Sequence, residues 1–320
     1  MEPIIAPIDR RLIAKELTEE KFLKTTNKGD NELYIVDNND APNTMLEIGR
    51  LREISFRVAG GGTGKAVDID PFDLSANPYK QLIVWDPRAK EILGGYRYLH
   101  TAESELKDLA TSELFAFSQK FETDYKPYTV ELGRSFVQPD FQSSRRNAKS
   151  LYVLDNLWDG IGGIIQGCPD VRYLFGKVTM YTSYNVDARN MVLYFLQKQF
   201  PDNEHLIHPI VPLDVKLDVA SLDALFTGST FAENYKILSR EVRARGEHIP
   251  PLINSYMHIS PTMKTFGTAI NHEFGAVEET GMLITIADLY KEKFLRHING
   301  QHRLRKVRIR QLFTRRKERP

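Results

Sequence analysis

Short apolar runs with interspersed polar positions recur along the first half of the chain and predict strands. They are ELYIVD at 32–37, QLIVWD at 81–86, ILGGYRYL at 92–99 and YTVELGRSFV at 128–137. The second and third runs flank DPRAKE, whose Asp-Pro step is typical of a tight turn, so together they predict a hairpin. Gly133, inside the fourth run, predicts a bulge or a close approach of another backbone.

Apolar residues at helical spacing mark other segments, as in 44–58, where Met45, Ile48 and Leu51 share a face. Helices are predicted at 44–58, 150–166, 187–200 and, as one or two segments, within 212–245. Further strands are predicted at 172–181, 255–260 and 282–289, and residues 9–28 are predicted to be helical or loose. A strand meander followed by alternating strands and helices predicts one mixed α/β sheet in a single domain.

Composition and charge then narrow the class of protein. Hydrophobic residues make up 42% and charged residues 27%, as in an ordinary globular protein. No apolar stretch reaches the roughly 20 residues that span a bilayer, and the first residues lack the basic-then-apolar order of a signal peptide. A single cysteine, Cys168, excludes an intrachain disulfide. These features predict a cytoplasmic protein.

The charge is divided unevenly along the chain. Residues 303–320 hold nine Lys and Arg and one Glu, a net of +8, while the remaining 34 basic and 41 acidic residues give −7. Such a tail predicts an anionic partner, either lipid headgroups, an acidic protein or nucleic acid, or else a solvated chain end. Nothing else in the sequence suggests nucleic acid, so a membrane surface or an acidic protein is favoured.

Several familiar motifs are incomplete. AGGGTGK at 59–65 has the composition of a nucleotide phosphate loop, but Ala59 stands where that motif needs Gly and no Ser or Thr follows the Lys. It predicts instead a mobile loop beside a site. His205 and His208 lack the Glu and cysteines of common zinc sites, so no metal is predicted. Cys168 has no evident base nearby, and no Gly-x-Ser-x-Gly elbow is present.

Polar side chains within apolar segments are the remaining candidates for a site. They are Arg52 in the first long helix, Asp70 and Asp73 after the glycine-rich loop, Arg97 in the hairpin, and Glu131 and Arg134 in VELGRSFV. Glu131 and Arg134 are three positions apart, so they face the same side of a strand only if a bulge intervenes. A surface ion-pair network is the alternative, as is a turn cap for Asp70 and Asp73.

In order and spacing, LREISFR, DIDPFD, GGYRYL and VELGRSFV resemble the autoinducer-synthase and ornithine-lipid branch of the Gcn5-related N-acyltransferases (GNAT superfamily), a branch with hemolysin-like members. The matching positions are Arg52, Phe56, Asp70, Asp73, Arg97, Glu131 and Arg134. Further on, SLYVLDNLWDGI, YLFGKVTMY and HIPPLINSYMHIS resemble members that acylate ornithine or glycine in membrane lipids. The resemblance covers about residues 32–290.

The resemblance implies a mixed, mostly antiparallel twisted α/β sheet flanked by helices. It divides the chain into an N-terminal extension at 1–31, an acyltransferase domain at 32–302 with a helical insertion at about 212–245, and the basic tail at 303–320. The implied activity moves a fatty or 3-hydroxy fatty acyl group from a phosphopantetheine thioester to the α-amine of glycine or ornithine, in the synthesis of amino-acid-containing membrane lipids. No resident cofactor is implied, and a separate O-acyltransferase is expected in the same pathway.

Two segments depart from the family pattern. The superfamily's pyrophosphate loop carries glycines, but SSRRNAKS at 143–150 has none. Arg145, Arg146 and Lys149 at a helix N-terminus suit the single phosphodiester of carrier-protein phosphopantetheine, so acyl carrier protein is the expected donor and partner; a degenerate loop in an inactive enzyme is the alternative. After Phe56, Gly and Thr replace the Trp usual in autoinducer synthases, which disfavours homoserine-lactone synthesis.

Thioester aminolysis needs a neutral amine, a polarised carbonyl and a proton for the leaving thiolate. Glu131 is the expected base, and backbone N–H groups near 134–136 are expected to stabilise the oxyanion. The predicted catalytic group is Glu131, Arg134, Asp70 and Asp73, and the predicted substrate-binding group is Arg52, Phe56, Arg97 and Phe136. The arginines are expected to hold the substrate carboxylate or to brace the aspartates. Tyr184 or Tyr194 is expected to protonate the thiolate.

Two other functions remain open at this point. One is the synthesis of an acyl-homoserine-lactone or acyl-amino-acid signal. The other is a non-catalytic module that binds a membrane or a carrier protein, which the complete set of signature residues disfavours. For an enzyme whose product is a long-chain lipid, the basic tail is expected to hold the protein at the inner face of the membrane.

Overall fold

The computed structural model describes residues 1–141 and 152–298. Its helices are α1 Arg10–Glu16, α2 Pro42–Ala59, α3 Pro71–Leu74, α4 Val153–Gly167, α5 Val186–Gln199, α6 Val219–Leu225, α7 Phe231–Ala244, α8 Pro251–Met257 and α9 Lys291–His297. Its strands are β1 Phe22–Thr25, β2 Glu32–Val36, β3 Lys80–Asp86, β4 Glu91–His100, β5 Phe115–Phe117, β6 Thr129–Val137, β7 Tyr173–Met180, β8 Ile207–Pro209, β9 Lys264–Asn271 and β10 Val277–Thr285.

Eight strands form one sheet in the order β1-β2-β3-β4-β6-β7-β10-β9, and β5 pairs with β8. Neighbouring strands of the large sheet are antiparallel, except that β6 and β7 are parallel. The predicted hairpin is confirmed as β3 and β4, and the predicted mixed, mostly antiparallel sheet is confirmed with it. β1 also pairs into this sheet, so the segment before residue 32 contributes to the fold.

Helices cover both faces of the sheet because successive side chains of a strand point to opposite faces. On one face, Leu82 of β3 shares an apolar cluster with Leu157 of α4. On the other face, Ile83 shares a second cluster with Met45 and Ile48 of α2. The sheet is therefore the middle of three layers, with α4 and α2 on opposite sides.

Helix α2 confirms the prediction for 44–58 and follows from its sequence. Pro42 occupies its first turn, where a missing N–H costs nothing. Gly60 ends it with a φ of 99°, a left-handed conformation that glycine adopts without strain. Within residues 1–141 and 152–298, neither this helix nor any other is long and apolar enough to cross a membrane.

One predicted strand is wrong. Residues 255–260 lie in α8 and the turn after it, not in a strand. Pro251 opens this helix with a suitable φ, and Ile253, Tyr256 and Met257 are buried at helical spacing. Six apolar-rich residues fit either period, so the pattern alone could not decide. The predicted helices within 212–245 are confirmed as α6 and α7.

Helix α9 packs on α4 through a glycine. A Cβ at Gly162 would meet the backbone carbonyl oxygen of His297, whereas one at Gly163 would meet only the flexible end of Leu23, at 2.9 Å. We expect Gly162→Ala to lower the free energy of unfolding by about 1–3 kcal/mol. Gly163→Ala should cost less, because the Leu23 side chain can move aside whereas the backbone of His297 cannot. Urea unfolding compares the two variants, and equal losses would contradict this packing.

Candidate active site

A gap opens between the two parallel strands, β6 and β7. Their pairing ends at Leu132 and Gly176. Beyond that point the strands run on to Val137 and Met180, and both strand ends line a cavity of about 820 Å³. A strand end without a partner strand offers backbone N–H and C=O groups to a ligand. The gap therefore exposes backbone groups that can form hydrogen bonds with a ligand.

β6 is bulged at the edge of this cavity. On the β4 side, Gly133 pairs with Arg97 but Phe136 pairs with Gly95, so β6 holds one extra residue. Arg134 adopts a φ of 49° here, a left-handed conformation that costs a non-glycine residue about 1–2 kcal/mol. The predicted bulge is confirmed, although its left-handed residue is Arg134 and not the glycine. Consecutive residues of β6 line the cavity as a result.

The cavity passes from one face of the sheet to the other. Residues paired across strands point to the same face. The pairings place these polar lining residues on the face that α2 covers: Arg97, Glu131, Lys177, Thr179 and Glu279. The α4 face contributes the apolar Leu132, Val178 and Met180. A hollow of about 40 Å³ adjoins the cavity and is lined in part by Tyr96, Trp158, Tyr256, Met282 and Ile284.

Glu131 lies on the polar side with both carboxylate oxygens engaged. The Thr111 backbone N–H donates to its Oε1 at 2.9 Å, and the Tyr79 hydroxyl donates to its Oε2. That hydroxyl accepts a hydrogen bond from the Ala110 N–H at 2.9 Å. Burial raises the pKa of the Glu131 carboxyl above its usual value, although both hydrogen bonds favour the ionised form. A carboxylate with a raised pKa is suited to accept a proton from an amine.

Two of the predicted arginines belong to a buried ion-pair network. Arg52 is fully buried, with Nη1 3.1 Å from Asp73 Oδ2. Arg97 Nη1 lies 2.5 Å from Asp70 Oδ2 and 3.4 Å from Asp73 Oδ2. Gln81 completes the network by donating to Asp73 Oδ1 at 2.9 Å. Burial would raise the pKa of Asp70, but the charges of Arg97 and Arg134 outweigh burial and lower this pKa to about 2.

Arg134 joins the same network from the bulge. Its Nε lies 2.9 Å from Asp68 Oδ2, and its Nη2 lies 3.4 Å from Asp70 Oδ2. Its guanidinium also stacks on Phe274, 4.3 Å from the ring centroid. Of the two roles expected for the arginines, bracing the aspartates is the one that these contacts show.

Asp70 and Asp73 do not line the cavity. Asp70 caps α3, accepting hydrogen bonds from the backbone N–H groups of Phe72 at 3.1 Å and Asp73 at 3.2 Å. The alternative reading as a turn cap is therefore confirmed. Their predicted catalytic role has no support from their position, because Arg97 and Arg134 stand between them and the cavity.

The aromatic candidates separate into those inside and outside the cavity. Phe56 and Phe136 line it as predicted. Tyr184 also lines it and donates to the His248 carbonyl oxygen at 3.0 Å; burial raises its pKa to about 12, so the phenol is protonated at neutral pH. Tyr194 is a correction: its hydroxyl bonds to Asp223 of α6, away from the cavity lining.

The glycine-rich loop lies beside the cavity, as predicted. A Cβ at Gly61 would lie 3.1 Å from the ring of Tyr181, which lines the cavity. The loop wraps the buried Glu53 carboxylate, which accepts hydrogen bonds from the N–H groups of Thr63 at 3.0 Å and Gly64 at 2.8 Å. The Glu53 carboxylate therefore engages two of the loop's backbone N–H groups.

Two of the predicted segments lie outside the described residues: the stretch with Arg145, Arg146 and Lys149, and the basic tail at 303–320. In the part of the chain that the structure describes, no group of three or more His, Cys, Asp or Glu is placed to hold a metal ion.

Three further residues that line the polar side were not predicted from the sequence: Lys177, Thr179 and Glu279. Lys177 Nζ lies 2.5 Å from Glu279 Oε2, and the Thr179 hydroxyl donates to Glu279 Oε1 at 3.2 Å. Lys177 interrupts an apolar strand just as Glu131 does, so the same signal could have singled it out. Glu279 gives no such signal, since its partner depends on the pairing of β7 with β10.

Comparisons with known proteins place this sheet and its cavity in the GNAT class of acyltransferases. Residues 51–151 match the acetyltransferase (GNAT) domain family. The chain is 54% identical over 305 residues to the glycine N(alpha)-acyltransferase of Phocaeicola vulgatus, and the match covers 94% of each chain. It is 53% identical over 303 residues to the glycine N(alpha)-acyltransferase of Bacteroides thetaiotaomicron, covering 93% of this chain and 90% of that one. The chain belongs to this family of N-acyltransferases.

Among solved structures, the AHL synthase LasI is similar at 11% identity, with a TM-score of 0.37, over 84% of this chain and 94% of that chain. A likeness this distant carries no argument about mechanism.

Proposed function

We propose that this N-acyltransferase moves a fatty acyl group from a phosphopantetheine thioester to the α-amine of glycine. The observation that carries the proposal is the cavity between β6 and β7, which is charged on one face of the sheet and apolar on the other. A long acyl chain gains from apolar walls, whereas an amino acid needs charged partners. The names of the two curated relatives support glycine as the acceptor.

The proposed reaction forms a bond between the amine nitrogen and the thioester carbonyl carbon, and breaks the bond from that carbon to sulfur. Glu131 takes the proton from the attacking amine, directly or through a water. Backbone N–H groups of β6 at the Arg134 bulge stabilise the oxyanion. Tyr184 gives its proton to the departing thiolate. The phosphopantetheine arm brings the acyl group, so the reaction as written needs no further cofactor.

We propose acyl carrier protein as the donor. SSRRNAKS at 143–150 offers three cations and no glycine, which suits one phosphodiester better than the pyrophosphate and 3′-phosphate of coenzyme A.

The basic tail, with its net charge of +8, supports a position at the inner face of the membrane, where a lipid product can leave into the bilayer. The pathway is that of amino-acid-containing membrane lipids.

A panel of donors and acceptors tests this proposal. The purified protein is given one acyl chain on acyl carrier protein or on coenzyme A, with glycine, alanine, serine or ornithine at equal concentration, and products are measured by mass spectrometry. We expect N-acylglycine from the carrier-protein thioester as the main product. A main product from ornithine would contradict the acceptor, and equal or better use of coenzyme A would contradict the donor.

A further inference from the structure

Lys177 of β7 and Glu279 of β10 form an ion pair in the polar wall of the cavity. Only 11% of the Lys177 side chain and 4% of the Glu279 side chain is exposed. The Asn271 side-chain amide donates to Glu279 Oε2 at 3.0 Å, and Thr179 supports the other oxygen. A buried ion pair gains little stability over an apolar pair of similar size. Stability therefore does not explain why this pair lies in the wall.

The carboxylate of this pair is ionised. Burial alone would raise the pKa of Glu279, but the Lys177 ammonium and the hydrogen bond from Asn271 outweigh it and hold the pKa below its usual value. Glu279 is thus held from several sides and has little freedom to turn. It fixes the Lys177 ammonium at the cavity wall.

Lys177 differs from the arginines of the same wall. Arg97 pairs with both Asp70 and Asp73, and Arg134 pairs with both Asp68 and Asp70, so the charge of each guanidinium is shared between two aspartates outside the cavity. A lysine ammonium has three N–H donors, and in the described part of the chain Glu279 is the acidic partner of Lys177. Donors remain for one more anion on the cavity side. Lys177 is therefore the cation of this wall best suited to an incoming carboxylate.

Lys177 also lies near enough to Glu131 for one acceptor molecule to contact both residues. Glu131 pairs with Phe175, and Lys177 follows Phe175 by two residues on the same face. Two residues of a strand cover about 6.6 Å and paired strands lie about 4.8 Å apart, so the backbones at Glu131 and Lys177 are roughly 8 Å apart, a separation that the two side chains and a small amino acid can bridge. The carboxylate of the acceptor can then reach Lys177 while its amine reaches Glu131.

We propose that Lys177 binds the α-carboxylate of the acceptor amino acid and that Glu279 is its positioning residue. The inference rests on the proposed function, because it needs an amino acid as the acceptor. It assigns recognition of the carboxylate to β7 and β10, whereas the arginines of the sequence signature maintain the network behind β6.

Glycinamide tests the inference, since it keeps the amine of glycine but lacks the carboxylate charge. The wild-type protein should prefer glycine. Lys177→Met should lower the ratio of kcat/KM for glycine to that for glycinamide by about 10- to 100-fold, mainly through the KM for glycine, and leave the KM for the acyl donor unchanged. Lys177→Arg should keep part of the preference. Comparing ratios between proteins cancels the different intrinsic reactivity of the two amines.

An unchanged ratio in Lys177→Met would overturn the inference and leave the proposed function intact, since a purely structural lysine would slow both acceptors equally. A wild-type protein that acylates another amino acid but not glycine would overturn the proposed acceptor, and the ratio is then taken with that amino acid and its amide. Lys177→Met leaves Glu279 unpaired and can fold poorly. The double variant Lys177→Met/Glu279→Gln removes both charges and should show the same loss of preference.

Discussion

Replacing Glu131 by glutamine should lower the turnover of the enzyme by about 10²- to 10⁴-fold. The amide has nearly the same shape but cannot take a proton from the attacking amine. Because Glu131 is buried and bonded to Tyr79 and Thr111, the fold of the variant is checked first by urea unfolding. Steady-state rates with saturating glycine and acyl donor then measure the effect.

Glu247→Gln is the matched control, because Glu247 also lines the cavity but accepts its hydrogen bond from the Asn185 backbone N–H. Its rate should stay close to that of the wild type. The pH profile gives a second readout. Burial raises the pKa of Glu131, and a base acts only when ionised, so kcat/KM should fall as pH drops through that raised pKa. A Glu131→Gln variant with unchanged turnover would contradict its role as the base.

Removing the charge of Asp73 should lower the free energy of unfolding by about 3–5 kcal/mol. Asp73 is fully buried and pairs with both Arg52 and Arg97. Asp73→Asn keeps the shape of the side chain but leaves the guanidinium of Arg52, which is also fully buried, without its carboxylate. Urea unfolding measures the change as a lower midpoint.

An exposed ion pair is the control for Asp73→Asn. Glu105 and Lys107 pair at 2.8 Å with about three quarters of each side chain exposed. Glu105→Gln should therefore change the free energy of unfolding by less than about 1 kcal/mol. A similarly small loss in Asp73→Asn would show that the network adds no stability.

Much of the sheet could be predicted because its strands and turns carry local signals. The Asp-Pro turn between β3 and β4 is an example, and the hairpin that it predicts is confirmed. The helical spacing of apolar residues in α2 is a local signal of the same kind, and this helix is confirmed too. The strand predicted at 255–260 fails because a short apolar run fits two periods. Tertiary burial then decides for the helix, with Ile253 and Met257 on its buried face.

The sequence was enough to locate the candidate site, but it could not show which of the charged residues pair with one another. Glu131 and Arg97 stood out in the sequence as charged residues in apolar strands, and both line one cavity. Sequence spacing could not show that Arg97 directs its charge to Asp70, whereas Lys177 pairs with Glu279 in the cavity wall. That distinction depends on which strands are neighbours, and therefore on the register of the folded sheet.

A crystal structure with a long-chain acyl-pantetheine thioether, which cannot transfer its acyl group, tests the central claim most directly. The two-sided cavity predicts the sulfur in the gap between β6 and β7 and the acyl chain on the α4 face, against Trp158 and Tyr256. An acyl chain bound instead in the separate cavity beside β8 and β9, against Leu213 and Phe266, would contradict the account.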